Sequence, residues 1–118
     1  MEKFIVRQKQ TIEIKTPAGL KIICVKNILY VEAAGKCSIV YLIDYSTIVS
    51  YQSLKWFNRY LFQPYFFRCH NSFIVNCQLI DCYWNNRIIF RDKNRIPISR
   101  NKILPFKENL KFLQVEKV

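Results

Sequence analysis

Short segments rich in Ile, Val, Tyr and Phe make up most of the chain, and polar turns separate them. This pattern predicts β-strands, because branched and aromatic side chains pack well on a pleated sheet. The predicted strands are residues 10–15, 20–25, 28–33, 37–43, 47–51, 66–69, 80–83, 87–91 and 95–98. The turn residues Asn85-Asn86 and Asp92-Lys93-Asn94 tolerate positive φ angles, so we expect the last three strands to form a meander.

Two segments have helical spacing instead. Ser53 is a suitable N-cap for a short helix that ends before Pro64, and a second helix is predicted over residues 105–113. The apolar positions that share one helix face are Leu54, Phe57 and Leu61 in the first helix, and Phe106, Leu110 and Leu113 in the second. No second helix follows the first after a short turn, which disfavours a helix-turn-helix motif. We therefore expect loops or strand ends to make any contacts with a duplex.

Length and charge limit the classes of protein that fit. The chain has 118 residues, with 19 Lys and Arg against 8 Asp and Glu, so its formal net charge is +11. At 51% hydrophobic residues it is too apolar for a disordered basic tail, and no Gly- or Pro-rich linker divides it. We expect one mainly β domain over residues 1–118. The charge suggests a polyanionic partner, although the alternative is that it only keeps the domain soluble.

The sequence also indicates where the protein works. No apolar run has the length of a membrane span, and the first seven residues lack the apolar core of a signal peptide. The cysteines form an odd set that does not suggest a disulfide framework: Cys24, Cys37, Cys69, Cys77 and Cys82. We therefore expect reduced thiols in a cytoplasmic protein that has no membrane partner.

Enzymatic chemistry is poorly represented. Cys69 and His70 are neighbours in an extended segment, where successive side chains point to opposite faces and cannot share a proton. With Cys77 and Cys82 they offer zinc ligands but no CxxC or HxxxH spacing. The carboxylates are scattered, and no phosphate-binding glycine motif occurs. We expect neither catalysis nor a bound metal or cofactor.

Binding chemistry is better represented, in three segments that place long donors beside a predicted strand end. These segments contain Lys36 with Ser38, Arg68 with His70 and Asn71, and Arg100 with Asn101 and Lys102. Arg and Lys suit guanine O6 and N7 or phosphates, and Asn can pair with adenine N6 and N7. Each segment alone is typical of a solvated loop, but three of them in a domain of this charge indicate convergence on one face.

The central segment resembles the signature of LytTR-type DNA-binding domains. Residues 66–76 are FFRCHNSFIVN, and three further matches occur in the expected order: residues 27–33 (NILYVEA), 53–55 (SLK) and 96–100 (IPISR). The resemblance extends over residues 20–110. It implies an elongated stack of small, mainly antiparallel sheets and a transcriptional regulator that binds DNA.

The resemblance also implies how DNA is bound. Loops of such domains enter successive major grooves of double-stranded DNA, usually at repeated sites that suit two protomers. By correspondence with the family motif, the residues that contact bases are Ser38, Asn71 and Arg100, and the phosphate or supporting contacts are Lys36, Arg68, His70, Asn101 and Lys102. Most family members carry an N-terminal receiver or membrane segment, so we expect a missing or separate signalling partner.

Two departures from the family pattern affect these expectations. Cys37 stands where many family members have an aromatic residue, and the Ser38 side chain is short for contact with a base deep in the groove. We therefore expect Lys36 to contribute more of the DNA contacts of that loop. Asp44-Tyr45 stands where the family usually has Asp-Gly, which predicts a longer or irregular hairpin.

Three hypotheses remain open from the sequence. Cys69, between Arg68 and His70, is either a DNA-facing redox thiol or, as alternation favours, a core residue. The main alternative function is an RNA or single-stranded nucleic-acid binder that uses Tyr83 and Trp84 as a stacking platform. The third alternative is a domain that docks onto an acidic protein.

Overall fold

The structure is a computed structural model of the chain, and it describes residues 8–116. Its strands are β1 (Thr11–Thr16), β2 (Gly19–Cys24), β3 (Ile28–Ala34), β4 (Cys37–Leu42), β5 (Thr47–Ser50), β6 (Phe66–His70), β7 (Phe73–Asn76), β8 (Cys82–Trp84), β9 (Arg87–Ile89) and β10 (Arg95–Pro97). Its helices are α1 (Leu54–Tyr60) and α2 (Ile103–Glu116). The predicted mainly β fold with one short internal helix and one C-terminal helix is therefore confirmed.

The strands form antiparallel sheets of two, three and five strands. The small sheets are β1-β2 and the meander β10-β9-β8, and the large sheet has the order β5-β4-β3-β7-β6. The extents along the three principal axes are 40, 40 and 25 Å, so the stack of sheets is flattened along one axis.

The large sheet lies in the middle because its central strands are apolar on both faces. In β3, Ile28, Leu29, Tyr30 and Val31 are all between 0% and 1% exposed. Burying each such side chain fully contributes about 1.5–3 kcal/mol. One face packs against the β1-β2 sheet and α1, and the other packs against the meander and α2. The sheet is thereby fixed between two layers.

Both helices form for reasons visible in the sequence. The Ser53 hydroxyl accepts a hydrogen bond from the Trp56 N–H at 3.2 Å, which caps α1 as predicted. The predicted apolar face, Leu54, Phe57 and Leu61, is buried. Helix α2 begins at Ile103, two residues before the predicted start, because proline is tolerated in the first turn of a helix.

Tight turns with positive φ join several strands. Asn85 and Asn86 have φ angles of 51° and 59°, and Lys93 has φ 70°, so the predicted meander is confirmed with short turns. Tyr45 also has φ 70°. It closes a short hairpin in which its N–H donates to Leu42 O at 2.9 Å, so the turn is irregular in conformation but not long.

Strand β7 was not among the predicted strands, although it pairs with both β3 and β6. Asn76 at its end fixes it in place. The Asn76 side-chain amide donates to Ile28 O at 2.8 Å, and its side-chain oxygen accepts from the Gln78 N–H at 3.1 Å.

No helix in residues 8–116 is long and apolar enough to cross a membrane. That part of the chain also contains no group of three or more His, Cys, Asp or Glu side chains placed to hold a metal ion.

Candidate nucleic-acid interface

Two turns lie side by side at one end of the five-stranded sheet. The β3–β4 turn consists of Gly35 and Lys36, and the β6–β7 turn consists of Asn71 and Ser72. The Ala33 N–H donates to Ser72 O at 2.8 Å, which ties the two turns together. Gly35 has φ 62°, a conformation that glycine adopts without strain, and Lys36 is exposed at the tip of its turn.

The third predicted segment is fastened to the edge of the same sheet. After β10, the Ser99 N–H donates to Cys69 O on β6 at 2.8 Å. A 3-10 turn, Arg100–Lys102, follows at once, and the Lys102 N–H closes it by donating to Ser99 O at 2.8 Å. This arrangement brings the segment next to β6, the strand that carries Arg68 and His70.

Side chains and backbone together order the β6–β7 turn. Arg68 donates to Asn71 O at 2.9 Å, and the Ser72 N–H donates to Nδ1 of His70 at 3.0 Å. Nδ1 is therefore an acceptor within the protein, which leaves Nε2 of His70 available to a ligand. The register of β6 against β7 is irregular between Phe67 and His70, where the strand approaches the turn. These bonds order the backbone of the turn, and Asn71 is exposed at its tip.

A cleft of about 700 Å³ opens between α1, β6 and the 3-10 turn. The predicted binding residues that line it are Arg68, His70, Asn71, Asn101 and Lys102. No Asp or Glu occurs among the described residues that line this cleft. The cleft is therefore suited to an anionic ligand, because two permanent cations and several amide donors face it with no carboxylate in competition.

The chain belongs to the LytTR family. A family model described as the LytTr DNA-binding domain matches residues 18–111, which is most of the chain. The family is one of DNA-binding domains and not a class of enzymes. This finding confirms the resemblance that the sequence motifs indicated. The ligand of a LytTR domain is DNA.

Named relatives agree with the family match. The transcriptional regulatory protein YpdB of Escherichia coli O6:H1 is 30% identical over 110 residues, which cover 88% of this chain and 44% of YpdB. YpdB of Escherichia coli K12 is 29% identical over 110 residues and is covered to 45%. The chain thus spans less than half the length of these curated relatives.

A solved structure agrees with the fold. It is described as the LytTr DNA-binding domain of a putative methyl-accepting/DNA response regulator from Bacillus cereus. The match has a TM-score of 0.74 and 27% sequence identity, and it covers 86% of this chain and 97% of that one. The stack of three sheets is therefore the LytTR fold.

Arg100 and Lys36 lie outside the cleft of this LytTR domain. Arg100 is exposed on the turn that also carries Asn101 and Lys102, but it is not a lining residue. Lys36 is exposed on the neighbouring β3–β4 turn. The three predicted segments thus surround one end of the sheet, and only the second and third share the cleft.

Ser38 requires a correction. Its side chain is 0% exposed, and its hydroxyl has no hydrogen-bond partner among the described residues. It lies on the same face of β4 as the buried Val40, beneath the β1-β2 layer, because alternate strand residues share a face. A side chain with no exposed surface cannot touch a base in this conformation, so Ser38 does not belong to the interface.

The redox hypothesis for Cys69 is corrected in the same way. Its thiol is 0% exposed and donates a weak hydrogen bond to Pro97 O at 3.5 Å. Burial raises the pKa of this thiol from 9 to about 12, so it stays protonated at neutral pH. The nucleophilic thiolate that an oxidation switch needs is absent, and the alternative of a core cysteine holds.

The structure separates the two aromatic residues that were considered as a stacking platform. Tyr83 packs inward against Phe106, with ring centroids 5.5 Å apart, whereas Trp84 points outward and is 70% exposed. The rings of Tyr83 and Trp84 therefore do not form one stacking surface. The aromatic basis of the single-strand hypothesis is lost.

Sequence analysis missed the contribution of α1 to the cleft. Asn58, near the end of the helix, and Gln63, beyond it, line the cleft together with Arg68. Neither residue belongs to a family motif or to a run of cations, so no sequence signal marked them. Their position depends on the packing of α1 against the sheet, which brings residues distant in the chain together.

Proposed function

We propose that this LytTR domain binds double-stranded DNA in a sequence-specific manner, as the DNA-binding part of a transcriptional regulator. The observation that carries the proposal is the cationic cleft with its two flanking turns at one end of the five-stranded sheet. Protruding turns of this kind suit the major groove, where each base pair offers a distinct set of donors and acceptors. In this proposal the turns enter successive major grooves.

Asn71 and Arg100 are the residues that contact bases in this proposal. Both are exposed on ordered turns, Asn71 between β6 and β7 and Arg100 after β10. An Asn amide pairs with adenine and an Arg guanidinium with guanine. Lys36 takes the place of Ser38 in the β3–β4 turn, because it is the exposed donor there.

The remaining cleft residues position the duplex. Lys102 and Asn101 contact phosphates, and His70 donates through Nε2. Arg68 holds the turn through its bond to Asn71 O and retains further N–H groups for a phosphate. Such contacts fix the register of the protein on DNA without selecting a sequence.

The proposal extends to the assembly. Two protomers occupy repeated sites on cytoplasmic DNA, and the signal that controls them comes from a separate partner or another part of the protein. Residues 1–118 act as one domain. Footprinting on a duplex with one or two copies of a selected site tests this extension, and protection of a single copy only would contradict it.

Competition binding tests the function itself. A labelled duplex that carries a selected site is displaced by unlabelled duplex, single strand or RNA of the same sequence. We expect the duplex to compete best and the affinity to fall steeply with salt, with a log–log slope of about −5 if about six phosphates are contacted. Stronger competition by single strand or RNA would contradict the proposal.

Variants locate the binding surface in the same assay. Asn71→Ala is expected to weaken binding to the selected duplex by about 1–3 kcal/mol, because a bidentate contact is lost. Lys55→Ala is the matched control, since Lys55 is an exposed residue of α1 that does not line the cleft. If Lys55→Ala weakened binding as much as Asn71→Ala, the surface would be misplaced.

A further inference from the structure

The turn between β8 and β9 lies at the same end of the molecule as the candidate interface. Arg87, the first residue of β9, is paired with Pro97 of β10, so their Cα atoms are about 5 Å apart. Pro97 in turn contacts β6, because its carbonyl accepts a weak hydrogen bond from the Cys69 thiol at 3.5 Å. Ser99, two residues later, is fastened to the backbone of the same β6 residue. The β8–β9 turn is therefore a neighbour of the segment that carries Arg100.

The other end of the meander is anchored at the far end of the large sheet. Strand β4 begins at the interface turn that contains Lys36 and ends at the β4–β5 turn, which marks that far end. There the Tyr45 hydroxyl donates to Arg91 O, between β9 and β10, at 3.2 Å. Since the two turns of β9 lie at its opposite ends, the β8–β9 turn is directed toward the interface.

One face of the meander is buried and the other is exposed. Ile88 and Ile96 are 0% and 3% exposed and belong to the core. Strand alternation therefore directs their neighbours Arg87 and Arg95 outward, and both are exposed. Trp84 is paired with Arg87 and is exposed on the same outer face. This face thus combines two guanidinium groups with one indole ring.

The exposed side chains line a groove of about 210 Å³. Its lining residues come from the three strands and the β8–β9 turn: Trp84, Asn85, Arg87, Ile89 and Arg95. No Asp or Glu occurs among them, and the meander's own carboxylates, Asp81 and Asp92, lie away from the β8–β9 turn. Arg87 donates one long hydrogen bond to Asn86 O at 3.5 Å, which leaves other N–H groups of its guanidinium for a ligand.

We propose that Arg87 and Arg95 bind backbone phosphates of the duplex that flanks the bases contacted by the interface turns. This inference rests on the proposed function. The groove faces away from the large sheet, so its guanidinium groups are directed to the side of the interface and not into it. A phosphate backbone suits the groove because guanidinium groups bind phosphates in a bidentate manner and no carboxylate of the lining competes.

The position of the groove favours the duplex over other anionic partners. A duplex held at the interface already brings a dense row of phosphates next to the β8–β9 turn, with one negative charge per about 1.7 Å of helix axis. An acidic peptide would have to bind the groove without that help. Arg87 and Arg95 are diagonal neighbours on adjacent strands, whose Cα atoms are about 7–8 Å apart, so both can contact one stretch of backbone.

Binding to duplexes of two lengths tests the inference. One duplex carries the selected site alone, and the other carries the site with about ten further base pairs, one helical turn, on each side. The wild type is expected to bind the longer duplex more tightly. Arg87→Ala is expected to weaken binding to the longer duplex by about 5- to 10-fold and to lower its log–log salt slope by about 1. Binding of this variant to the shorter duplex should be unchanged.

Arg91→Ala is the matched control, because it removes the same charge from an exposed position at the far end of the meander. It is expected to bind both duplexes as the wild type does, and Arg87→Lys should keep the salt slope because the charge remains. An Arg87→Ala variant that matches Arg91→Ala, or that loses affinity equally for both duplexes, overturns the proposal. Failure of the proposed function is a different result, since the wild type would then not prefer the shorter duplex to a single strand.

The fluorescence of Trp84 gives a second readout that does not depend on affinity. At saturation, the longer duplex is expected to protect Trp84 from quenching by acrylamide, and the shorter duplex is expected to leave it accessible. Trp84→Phe leaves Trp56 as the only tryptophan and should remove the dependence on duplex length. Equal quenching of the wild type on both duplexes would show that the flanking DNA does not reach the groove, and this result overturns the proposal.

Discussion

Individual buried thiols set limits on the chemistry of this domain. Cys69 and Cys77 are almost fully buried, whereas Cys24 and Cys82 are exposed. Burial raises the pKa of both Cys69 and Cys77 from 9 to about 12, so neither forms a thiolate near neutral pH. The neighbouring Arg68 guanidinium therefore does not activate Cys69.

Alkylation followed by mass spectrometry checks this expectation. Iodoacetamide at pH 8 is expected to label Cys24 and Cys82 in the folded protein and to leave Cys69 unmodified. Unfolding in urea should make Cys69 react, which is the internal control. Rapid labelling of Cys69 in the native protein, or a loss of DNA affinity on treatment with peroxide that depends on Cys69, would contradict the structure.

Single residues also show how far the sequence could lead. The family motif pointed to Arg68, His70 and Asn71 at one strand end, because the local pattern of a strand end is visible in the sequence. The burial of Ser38 was not predictable in the same way. It results from the β1-β2 layer that covers β4, and no local pattern indicates which face of a strand another sheet will cover.

At the scale of elements, the β9–β10 turn stores conformational strain. Lys93 has φ 70°, which costs an L-residue about 1–2 kcal/mol. Its neighbours impose this conformation. Asp92 accepts from the Tyr30 hydroxyl at 2.9 Å, and the Asn94 amide donates to the same hydroxyl at 2.6 Å, so both are tied to the core.

Lys93→Gly is expected to raise the free energy of unfolding by about 0.5–1 kcal/mol, because glycine adopts positive φ without a Cβ clash. Chemical denaturation measures the change. Lys93→Ala is the matched control, since it removes the same charge and keeps the clash, and it should give no gain. Equal stabilisation by both variants would show that charge, and not backbone conformation, is the cause.

The elements differ in how well the sequence predicted them. Helix α1 was predictable because its cap, Ser53, and its apolar face are local features. Strand β7 was missed because its four residues lie so close to β6 that one motif appeared to span both. The cleft wall formed by Asn58 and Gln63 depends on how α1 docks, which is a tertiary property.

At the scale of the whole molecule, buried acidic groups make stability sensitive to alkaline pH. Burial raises the pKa of Cys69 and of Cys77, and burial together with a hydrogen bond to Glu32 raises that of Tyr41 from 10 to about 12. Between pH 9 and 12 the unfolded chain loses these protons while the folded chain keeps them. The free energy of unfolding therefore falls as pH rises, by up to about 1.4 kcal/mol per pH unit for each buried thiol.

Urea denaturation at pH 8 and pH 10.5 checks this dependence. Cys69→Ala should be less stable than the wild type at pH 8 but should lose less stability on going to pH 10.5, because one of the groups with a raised pKa is gone. Cys82→Ala, which removes an exposed thiol, serves as the control and should follow the wild type. A Cys69→Ala variant with the full alkaline loss would contradict the assignment.

In the proposed function, the net charge of the molecule and the residues on its turns have different roles on DNA. A net charge of +11 is expected to attract any duplex and to make the affinity depend on salt. In the proposed function Asn71 and Arg100 supply the sequence choice, because contacts to phosphates carry no sequence information. Removal of a base contact should therefore change specificity, whereas removal of a phosphate contact should change affinity alone.

Selection of bound sequences from a random duplex library, by the wild type, Arg100→Ala and Lys102→Ala in parallel, tests the central claim most directly. The wild type is expected to enrich one repeated motif. Arg100→Ala should enrich the same motif with one position degraded, which corresponds to a loss of about 1–3 kcal/mol of discrimination. Lys102→Ala should keep the motif intact and bind every sequence more weakly. A wild type that enriches no motif, or equal effects of the two substitutions on every position, would contradict sequence-specific binding through these turns.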